Sequence, residues 1–444
     1  MGRQTRLLFG ISIFWLALSV LFDGVNTLVL PLQLGVLASQ TNQATLLGLF
    51  TFVGLLAGAL IQPIAGTFSD RFQPIFGRRG FIGIGLILSL VSLLLFANSK
   101  SLAGIMLGYL AIQVSASIAQ AGQQGLLPDL VNANRRGLAS GWKGFMDLTG
   151  AMLGFVILGQ ILGSGGALPA IGVIGALLVI TYLLAVLLTP EDKPTHRVVA
   201  TASVPSLIHM FRLDIARQKA FLRLILSRFL FLLGIYGTGR FLLFFVAERL
   251  GLTDNQAAEK AGSLLAGLAF ISILASPLTG WLADRIGRVP LMVAGSLCSA
   301  VSALMLVWAD SSSQILLFGG LMSLGSAAFA GGSWALLADL VPREESARYF
   351  GLANFSTAGS AAVAGLFGPV IDGVERILPG MGFSVLFILA SIAFLTSAIP
   401  LKGSLLKEDG ETNENERKVR SHAPGLAVVS LPADPAPIEK DQDP

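Results

Sequence analysis

Apolar runs of about the 20 residues that a helix needs to cross a bilayer recur along this chain of 444 residues. They are continuously apolar, whereas the strands of a membrane barrel alternate every second residue and are about half as long. The runs therefore predict an all-α membrane protein with twelve transmembrane helices. The predicted spans are 7–37, 43–68, 80–97, 102–125, 138–163, 167–189, 220–247, 258–283, 289–309, 314–338, 347–372 and 381–401.

Composition excludes several other classes of protein. Charged residues make up 13% of the chain, about half of the usual share in soluble proteins. One cysteine, Cys298, cannot form an internal disulfide, and three scattered histidines have no metal-ligand spacing. No Walker or dinucleotide motif occurs, so nucleotide-driven transport has no support in the sequence. We expect no enzyme activity, no cofactor, no metal site and no nucleic-acid partner.

Basic residues cluster in every second loop, which orients the chain by the positive-inside rule. Both termini and the basic loops are therefore predicted to be cytoplasmic, in a multi-pass protein of the cell membrane, the inner membrane in a prokaryote. The other loops carry little beyond Lys100, Arg249 and Arg376. The basic residues are Arg71, Arg78, Arg79, Arg135, Arg136, Lys193, Arg197, Arg212, Arg217, Arg285, Arg288, Arg343 and Arg348.

Two stretches are too polar to enter the membrane. Residues 191–219 are predicted to form a cytoplasmic linker, and residues 402–444 have the composition of a disordered cytoplasmic tail. The linker separates an N-terminal six-helix half, residues 1–190, from a C-terminal six-helix half, residues 220–401. The first apolar run lacks a small-residue cleavage pattern, so we expect it to be retained as a helix.

An internal repeat relates the two halves. The pattern Gly-x-x-x-Asp-Arg ends at Arg71 and again at Arg285, a shift of 285 − 71 = 214 residues. Further along, segments 77–78 and 126–130 recur 210 residues later, because the first-half loop is four residues longer. Matching motifs in the same order predict two pseudo-symmetric halves of the same orientation.

These loops resemble the signature of major facilitator superfamily transporters, Gly-x-x-x-Asp-Arg followed by Gly-Arg-Arg. The longer first loop, which ends Phe-Gly77-Arg78-Arg79-Gly-Phe, resembles more closely the sugar and glycoside cation symporters. Drug antiporters of the superfamily often carry Gly-x-x-x-Gly-Pro on the fifth helix, whereas Phe155 follows the second glycine here. The resemblance implies a major facilitator fold that works by alternating access.

The repeated loops are the candidate cytoplasmic gate. Paired Asp and Arg side chains at helix ends can hold one side of a transporter shut. The alternative is that these arginines only enforce the orientation of the chain. The candidate residues are Gly66, Asp70, Arg71, Gly77, Arg78, Arg79, Gly280, Asp284, Arg285, Gly287 and Arg288.

Polar residues on the first helix indicate a surface that does not face lipid. Trp15, Ser19, Asp23 and Asn26 share one helical face. An ionised carboxylate near mid-membrane costs about 2.5 to 3.5 kcal/mol, so Asp23 must be protonated, paired or facing water. Asp23 is the candidate proton-coupling residue. The alternative is a structural carboxyl group that is hydrogen-bonded to a neighbouring helix.

A second polar stripe runs along the fourth helix. The superfamily resemblance implies that helices one, four, seven and ten line the central cavity. Interhelical hydrogen bonding explains such a stripe equally well. The 210-residue shift carries Gln124 to Trp334, a candidate aromatic surface for substrate, although a tryptophan in the core is the alternative. The stripe consists of Gln113, Ser117, Gln120 and Gln124.

The seventh helix adds Tyr236 and Arg240 to the candidate cavity. The 214-residue shift aligns Arg240 with Asn26, one turn from Asp23. An ion pair between Asp23 and Arg240 and a protonatable Asp23 are thus competing predictions. On the fifth helix, Lys143 and Asp147 are spaced to pair with each other.

The sequence as a whole predicts a secondary active transporter that moves a small organic solute together with protons and makes or breaks no chemical bond. Sugar or glycoside symport is favoured. One alternative is an efflux antiporter for amphipathic compounds, and another is a non-transporting assembly factor or receptor. The expected partners are the solute, protons and the lipid bilayer, and we expect a monomer.

Overall fold

The computed structural model describes residues 3–37, 42–131, 135–190, 219–340 and 346–401. All regular structure within these ranges is helical. The predicted tail at 402–444 and the predicted linker, except for its last residue, lie outside the described residues. Lys219 instead begins a helix.

The N-terminal helices run from Arg3 to Leu188. The first apolar run forms two α-helices joined by one π-helical turn, Val25–Val29. The α-helices are α1 (Arg3–Gly24), α2 (Leu30–Leu37), α3 (Gln43–Ala97), α4 (Leu102–Leu130), α5 (Arg136–Gly165) and α6 (Ala167–Leu188).

The C-terminal helices begin at Lys219. One apolar run is broken at Phe241 into two helices, and a short 3₁₀ turn, Ala364–Leu366, separates two later helices. The helices are α7 (Lys219–Arg240), α8 (Leu242–Leu250), α9 (Asp254–Ile286), α10 (Arg288–Leu306), α11 (Ser312–Leu340), α12 (Ser346–Val363), α13 (Phe367–Ile377) and α14 (Gly382–Ser397).

Eleven segments of the described chain are long and apolar enough to cross a membrane. Eleven of the twelve predicted spans each correspond to one of them. The last predicted span, 381–401, contains the helix Gly382–Ser397, which has 16 residues. At 1.5 Å per residue it is about 24 Å long, shorter than a hydrocarbon core of about 30 Å. The twelfth crossing therefore remains a prediction.

Two glycines make equivalent turns in the repeated loops. Gly77 interrupts α3 with φ 66° and ψ 171°, and Gly287 joins α9 to α10 with φ 96° and ψ 154°. Residues with a Cβ rarely adopt positive φ, so glycine is required at both places. The two turns are separated by the 210-residue shift of the repeat.

An arginine after each glycine ties its helix to the next one. The Arg78 guanidinium bonds the Asp129 carboxylate and the Ser69 hydroxyl, both at 2.9 Å. In the C-terminal helices Arg288 forms an ion pair with Asp339. Both pairs join residues separated by 51 positions, so the repeat seen in the sequence is also a repeat of contacts. We call the end of the bundle that carries them the basic end.

The opposite end of the bundle is closed by contacts between N-terminal and C-terminal helices. A Cβ on Gly48 would overlap the carbonyl oxygen of Gly365, and a Cβ on Gly368 would overlap the carbonyl oxygen of Ala44. Gly159 of α5 and Gly262 of α9 also lie in close contact, with no room for a Cβ on Gly262. Small residues of this kind let membrane helices pack at short range.

A carboxylate reinforces this closed end. Asp372 of α13 is buried and accepts a hydrogen bond of 2.6 Å from the backbone N–H of Thr45, at the start of α3. The first N–H groups of a helix have no partner within the helix and favour a negative charge. Arg376 also bonds Asn42 nearby. Polar contacts therefore join the two groups of helices at the end opposite the arginine–aspartate pairs.

Replacing Arg78 with methionine should lower the thermal stability of the protein markedly. The guanidinium is buried whereas the Asp129 carboxylate is partly exposed, and losing a hydrogen bond to a charged group costs about 1.5–3 kcal/mol. The matched control is Arg285→Met, because Arg285 is exposed and lies over the Trp281 ring at 4.0 Å. Such an exposed contact is worth about 1 kcal/mol or less. Melting temperatures in detergent would compare them, and equal decreases would contradict a special role for the Arg78–Asp129 pair.

Candidate functional site

A cavity of 540 Å³ lies between the N-terminal and the C-terminal helices. Its wall contains most of the residues that the polar stripes identified. From the predicted set, the structure places there Trp15, Ser19, Asp23, Asn26, Gln113, Ser117, Gln120, Gln124, Tyr236 and Arg240.

The cavity extends toward the basic end. Gln124 lines it five residues before Asp129, and Asn354 lines it in the first third of the segment Ser346–Ile377 that α12 and α13 form. Both side chains are exposed. The glycine contacts of Gly48 and Gly365 close the other end. The cavity is thus reached from the side of the arginine–aspartate pairs.

Asp23 lies in this cavity beside a second carboxylate. The Ser19 hydroxyl donates a 2.9 Å hydrogen bond to the Asp23 carboxylate. Asp147 of α5 is close enough to repel Asp23 electrostatically, and Ser19 interacts with it as well. A proton on either carboxylate would relieve this repulsion, because two like charges in a poorly hydrated site destabilise each other. Sequence reasoning placed Asp23 in the cavity but assigned Asp147 only to a pair with Lys143.

The structure keeps Lys143 and Asp147 close enough to attract each other electrostatically, as their spacing predicted. Among the described residues the two form no ion pair within 4 Å, and the Lys143 ammonium lies 3.8 Å from the centre of the Trp15 ring. The aromatic face attracts the cation and competes with the carboxylate for it. Lys143, Asp147 and Asp23 therefore all line the same cavity.

The two helical segments that carry Asp23 and Arg240 are both interrupted at the cavity. The π-helical turn Val25–Val29 contains Asn26, and Thr27 within it bonds the backbone carbonyl of Asp23. Arg240 ends α7 just before the break at Phe241. Since 240 − 26 = 214, the two interruptions coincide under the repeat. Discontinuous helices commonly form the substrate sites of transporters.

Arg240 is buried without a carboxylate partner. It is 7% exposed, and its Nη1 atom has no hydrogen-bond partner. Within the described chain it forms no ion pair within 4 Å, so the predicted Asp23–Arg240 pair is not formed here. Its electrostatic neighbours are the hydroxyl groups of Tyr109 and Tyr236.

An amide cluster adjoins this arginine. The Tyr109 hydroxyl donates to the Asn26 side-chain oxygen at 2.7 Å. The Gln113 amide donates to the same oxygen at 3.0 Å and to the Tyr109 hydroxyl at 2.7 Å. These bonds fix the orientation of Asn26 and Gln113 in the cavity wall, as binding groups require.

The structure places Trp334 away from the predicted cavity surface. Its ring packs under the Arg228 guanidinium at 4.2 Å, and Arg228 also bonds the Ser333 hydroxyl at 2.5 Å. Neither Trp334 nor any other described residue of α11 belongs to the lining of the main cavity. Of the helices expected to line this cavity, the first, fourth and seventh do so, whereas helix ten does not.

Other helices contribute to the cavity instead. Gln62 of α3, Asp147 of α5, Leu265 of α9 and Asn354 of α12 all line it. A signal for Gln62 and Asn354 was present, because each is a polar residue inside an apolar run. That signal was followed only on the first, fourth, fifth and seventh helices.

The remaining candidate gate residues have varied surroundings. Arg79 bonds Thr189 and Pro190 after α6, which ties together N-terminal helices. The side chain of Asp70 lies outside the described part of the structure. Gly66 and Gly280 have open space beside them, and Arg71, Asp284 and Arg285 are exposed.

Cysteine labelling should reveal which end of the cavity is open. In a Cys298→Ser background, Gln124→Cys should react with a membrane-impermeant maleimide much faster than Thr51→Cys. Gln124 is exposed at the open end, whereas Thr51 is fully buried beside the closed one. Adding Gly48→Leu should speed the labelling of Thr51→Cys, since a leucine does not fit against Gly365.

Gly141→Leu is the control for that leucine, because open space surrounds Gly141. It should leave the labelling of Thr51→Cys unchanged. Equal labelling of both cysteines in the parent protein would show that the cavity is not closed at the glycine contacts.

A comparison with protein families shows which kind of protein contains this cavity. A family model described as MFS/sugar transport protein matches residues 34–399. The chain belongs to this family. This match confirms the resemblance to the major facilitator superfamily that the loop motifs indicated. The chain is therefore a membrane transporter of the major facilitator type and not an enzyme.

Relatives with named activities match shorter stretches. Multidrug resistance protein MdtG of Enterobacter lignolyticus is 33% identical over 155 residues, 35% of this chain and 36% of the relative. Multi-drug resistance efflux pump PmrA of Streptococcus pneumoniae is 31% identical over 173 residues, 39% of this chain and 41% of the relative. The matches thus span only about two fifths of these relatives' length.

Solved structures extend the similarity across the whole fold. A bacterial homolog of the human lysosomal transporter Spinster, in an inward-facing and occupied conformation, matches with a TM-score of 0.68 and 14% identity. The match covers 96% of this chain and all of the other. The peptide transporter POT in complex with alafosfalin matches with a TM-score of 0.66 and 12% identity, covering 90% and 97% of the chains. These matches support the fold.

Proposed function

We propose that the chain moves a small organic solute across the membrane by alternating access, coupled to protons. The observation that carries this proposal is a polar cavity, open at one end and closed at the other, that holds Asp23 beside Asp147. A transporter must bind its cargo in such a half-open cavity and then reverse which end is closed.

The closed end supplies one of the two alternating barriers. Packed glycines such as Gly48 and Gly365 can separate without losing large interlocked side chains. In our proposal the predicted halves, residues 1–190 and 220–401, rock about the cavity, and the linker at 191–219 joins them. The basic end, which we take as cytoplasmic, would then close as these contacts open.

Asp23 is the residue that we propose binds the transported proton. The charged or titratable groups that interact with it are Asp147 and Tyr236. Repulsion between the two carboxylates favours one shared proton over two negative charges. The Ser19 hydroxyl, which bonds Asp23, would stabilise the carboxylate once the proton has left.

The polar wall favours sugar or glycoside symport as the mode of transport. The amides of Asn26, Gln62, Gln113, Gln120 and Gln124 offer donors and acceptors for hydroxyl groups. The family description also names sugar transport. We therefore keep a sugar-like solute as the first candidate.

Efflux of amphipathic compounds is the second candidate. The named relatives are multidrug resistance proteins, and Trp15, Phe22 and Phe155 give part of the cavity wall an aromatic surface. Such surfaces bind apolar groups without strict geometry. A non-transporting assembly factor would instead be expected to have a collapsed cavity, so the open volume of 540 Å³ speaks against that alternative.

Proteoliposomes with a trapped pH-sensitive dye would test the proposal. A panel of sugars, glycosides, amphipathic cations and amphipathic anions should contain a class that triggers proton movement in the wild type. Asp23→Asn should abolish this movement, because an amide cannot release a proton. Asp310→Asn is the matched control, since Asp310 pairs with Arg249 outside the main cavity and should leave proton flux intact.

The two modes of transport predict opposite coupling. Solute and protons that enter together support symport, whereas protons that move against the solute support efflux. Proton flux that is unchanged in Asp23→Asn would show that Asp23 is structural. Replacing protons with sodium in the imposed gradient tests whether another cation drives transport.

A further inference from the structure

A second pocket, of 200 Å³, opens from the main cavity into the C-terminal helices. The two share Phe155, Ile235, Gly239 and Leu265 in their walls. Most of its remaining wall is apolar, with Leu242, Leu268, Met322 and Phe387 among the lining residues. An engineered apolar cavity of about 150 Å³ is known to hold benzene, so this side pocket has room for a ring or a short alkyl group.

Arg240 stands at the junction of the two pockets. It follows Gly239, which lines both of them, and it lines the main cavity itself. A buried cation needs a counter-charge or a set of acceptors. Its Nη1 atom is buried without a hydrogen bond, and within the described chain no carboxylate lies within 4 Å. The described residues therefore provide no counter-charge in contact with this guanidinium.

The groups around the arginine do not replace an anion. Tyr109 and Tyr236 are neutral hydroxyls, and Tyr109 already donates its hydrogen to Asn26. Asn26 and Gln113 are bonded to each other and to Tyr109. Among the described residues, the groups that interact with Arg240 are thus uncharged hydroxyls, and a negative charge could reach the guanidinium from the cavity that it lines.

We infer that the transported solute is an amphipathic organic anion, with a carboxylate or phosphate on Arg240 and an apolar group in the side pocket. This inference rests on the proposed function and adds the chemical class of the solute. Arginine suits the task because its guanidinium donates two parallel hydrogen bonds to such oxygens. Sugar hydroxyls, where the solute has them, would lie on the amide wall.

A negative charge on the solute would also couple its binding to the protonation of Asp23. Tyr236 interacts electrostatically with both Asp23 and Arg240, so the carboxylate and the guanidinium face the same part of the main cavity. A negative Asp23 would repel an anion there, and a proton on Asp23 removes that repulsion. Binding of the anion and binding of the proton would therefore favour each other.

Equilibrium binding in lipid nanodiscs tests the inference without requiring transport. The probes are phenylbutyrate, its neutral amide, its amine analogue, phenylbutyl phosphate and untailed butyrate. The wild type should bind the tailed carboxylate or the tailed phosphate best, and the comparison of these two identifies the anionic group. Loss of the charged bonds in Arg240→Gln should weaken this binding about ten- to hundredfold. Arg249→Gln, outside both pockets, is the control.

A second variant separates the tail from the charge. Gly239 has open space beside its Cα, so Gly239→Leu should fill the junction of the two pockets. It should weaken phenylbutyrate but leave the weaker binding of butyrate unchanged. Because it keeps Arg240, this variant remains informative if Arg240→Gln does not fold.

The binding experiments test the inference about the anionic solute, whereas the proton-flux experiment tests the proposed function. Tighter binding of the amine or the amide than of the anions, or no binding of any tailed anion, would overturn it. An Arg240→Gln protein that melts at a lower temperature than wild type and binds the anions unchanged would assign Arg240 a structural role instead. Proton flux that depends on Asp23 would support coupled transport in each of these cases.

Discussion

The cost of placing polar groups in a bilayer constrains every part of this structure. Backbone N–H and C=O groups must find partners within the chain, so the spanning segments are helices. Charged side chains are tolerated only where they face a cavity or a partner. Asp23, Lys143, Asp147 and Arg240 all meet this condition, because each lines the cavity between the two groups of helices.

The same cost explains why the arginines of the repeated loops are paired with aspartates. Arg78 and Arg288 each follow a glycine with positive φ, which turns the chain so that the guanidinium points back to the next helix. Each arginine then meets an aspartate near the end of that helix. The pairs hold neighbouring helices together on one side of the bundle, whereas the contacts at the opposite end cross between the groups. A barrier at the basic end would have to come from another conformation.

Sequence patterns predicted the helices, the repeat and most of the cavity because each has a local signature. Apolar length identifies a span, and polar residues at helical spacing identify its inner face, as for Gln113 and Gln120. The contacts of Lys143, Trp15 and Trp334 could not be predicted in this way. A spacing of four suggested Lys143–Asp147, but the choice between carboxylate and indole depends on how α1 packs against α5. Asp372 was missed because its partner, the N–H of Thr45, is 327 residues away.

The separation of opposite charges inside the cavity is the feature that links structure to transport. Asp23 and Arg240 attract each other strongly in a medium of low dielectric constant, and a direct pair would neutralise both. The structure keeps them apart, with Tyr236 facing both and Asn26 held by Tyr109 and Gln113. Each charge therefore remains available, one for a proton and one for a ligand. A carrier that paired them permanently would lose the differential contacts through which a solute shifts a conformational equilibrium.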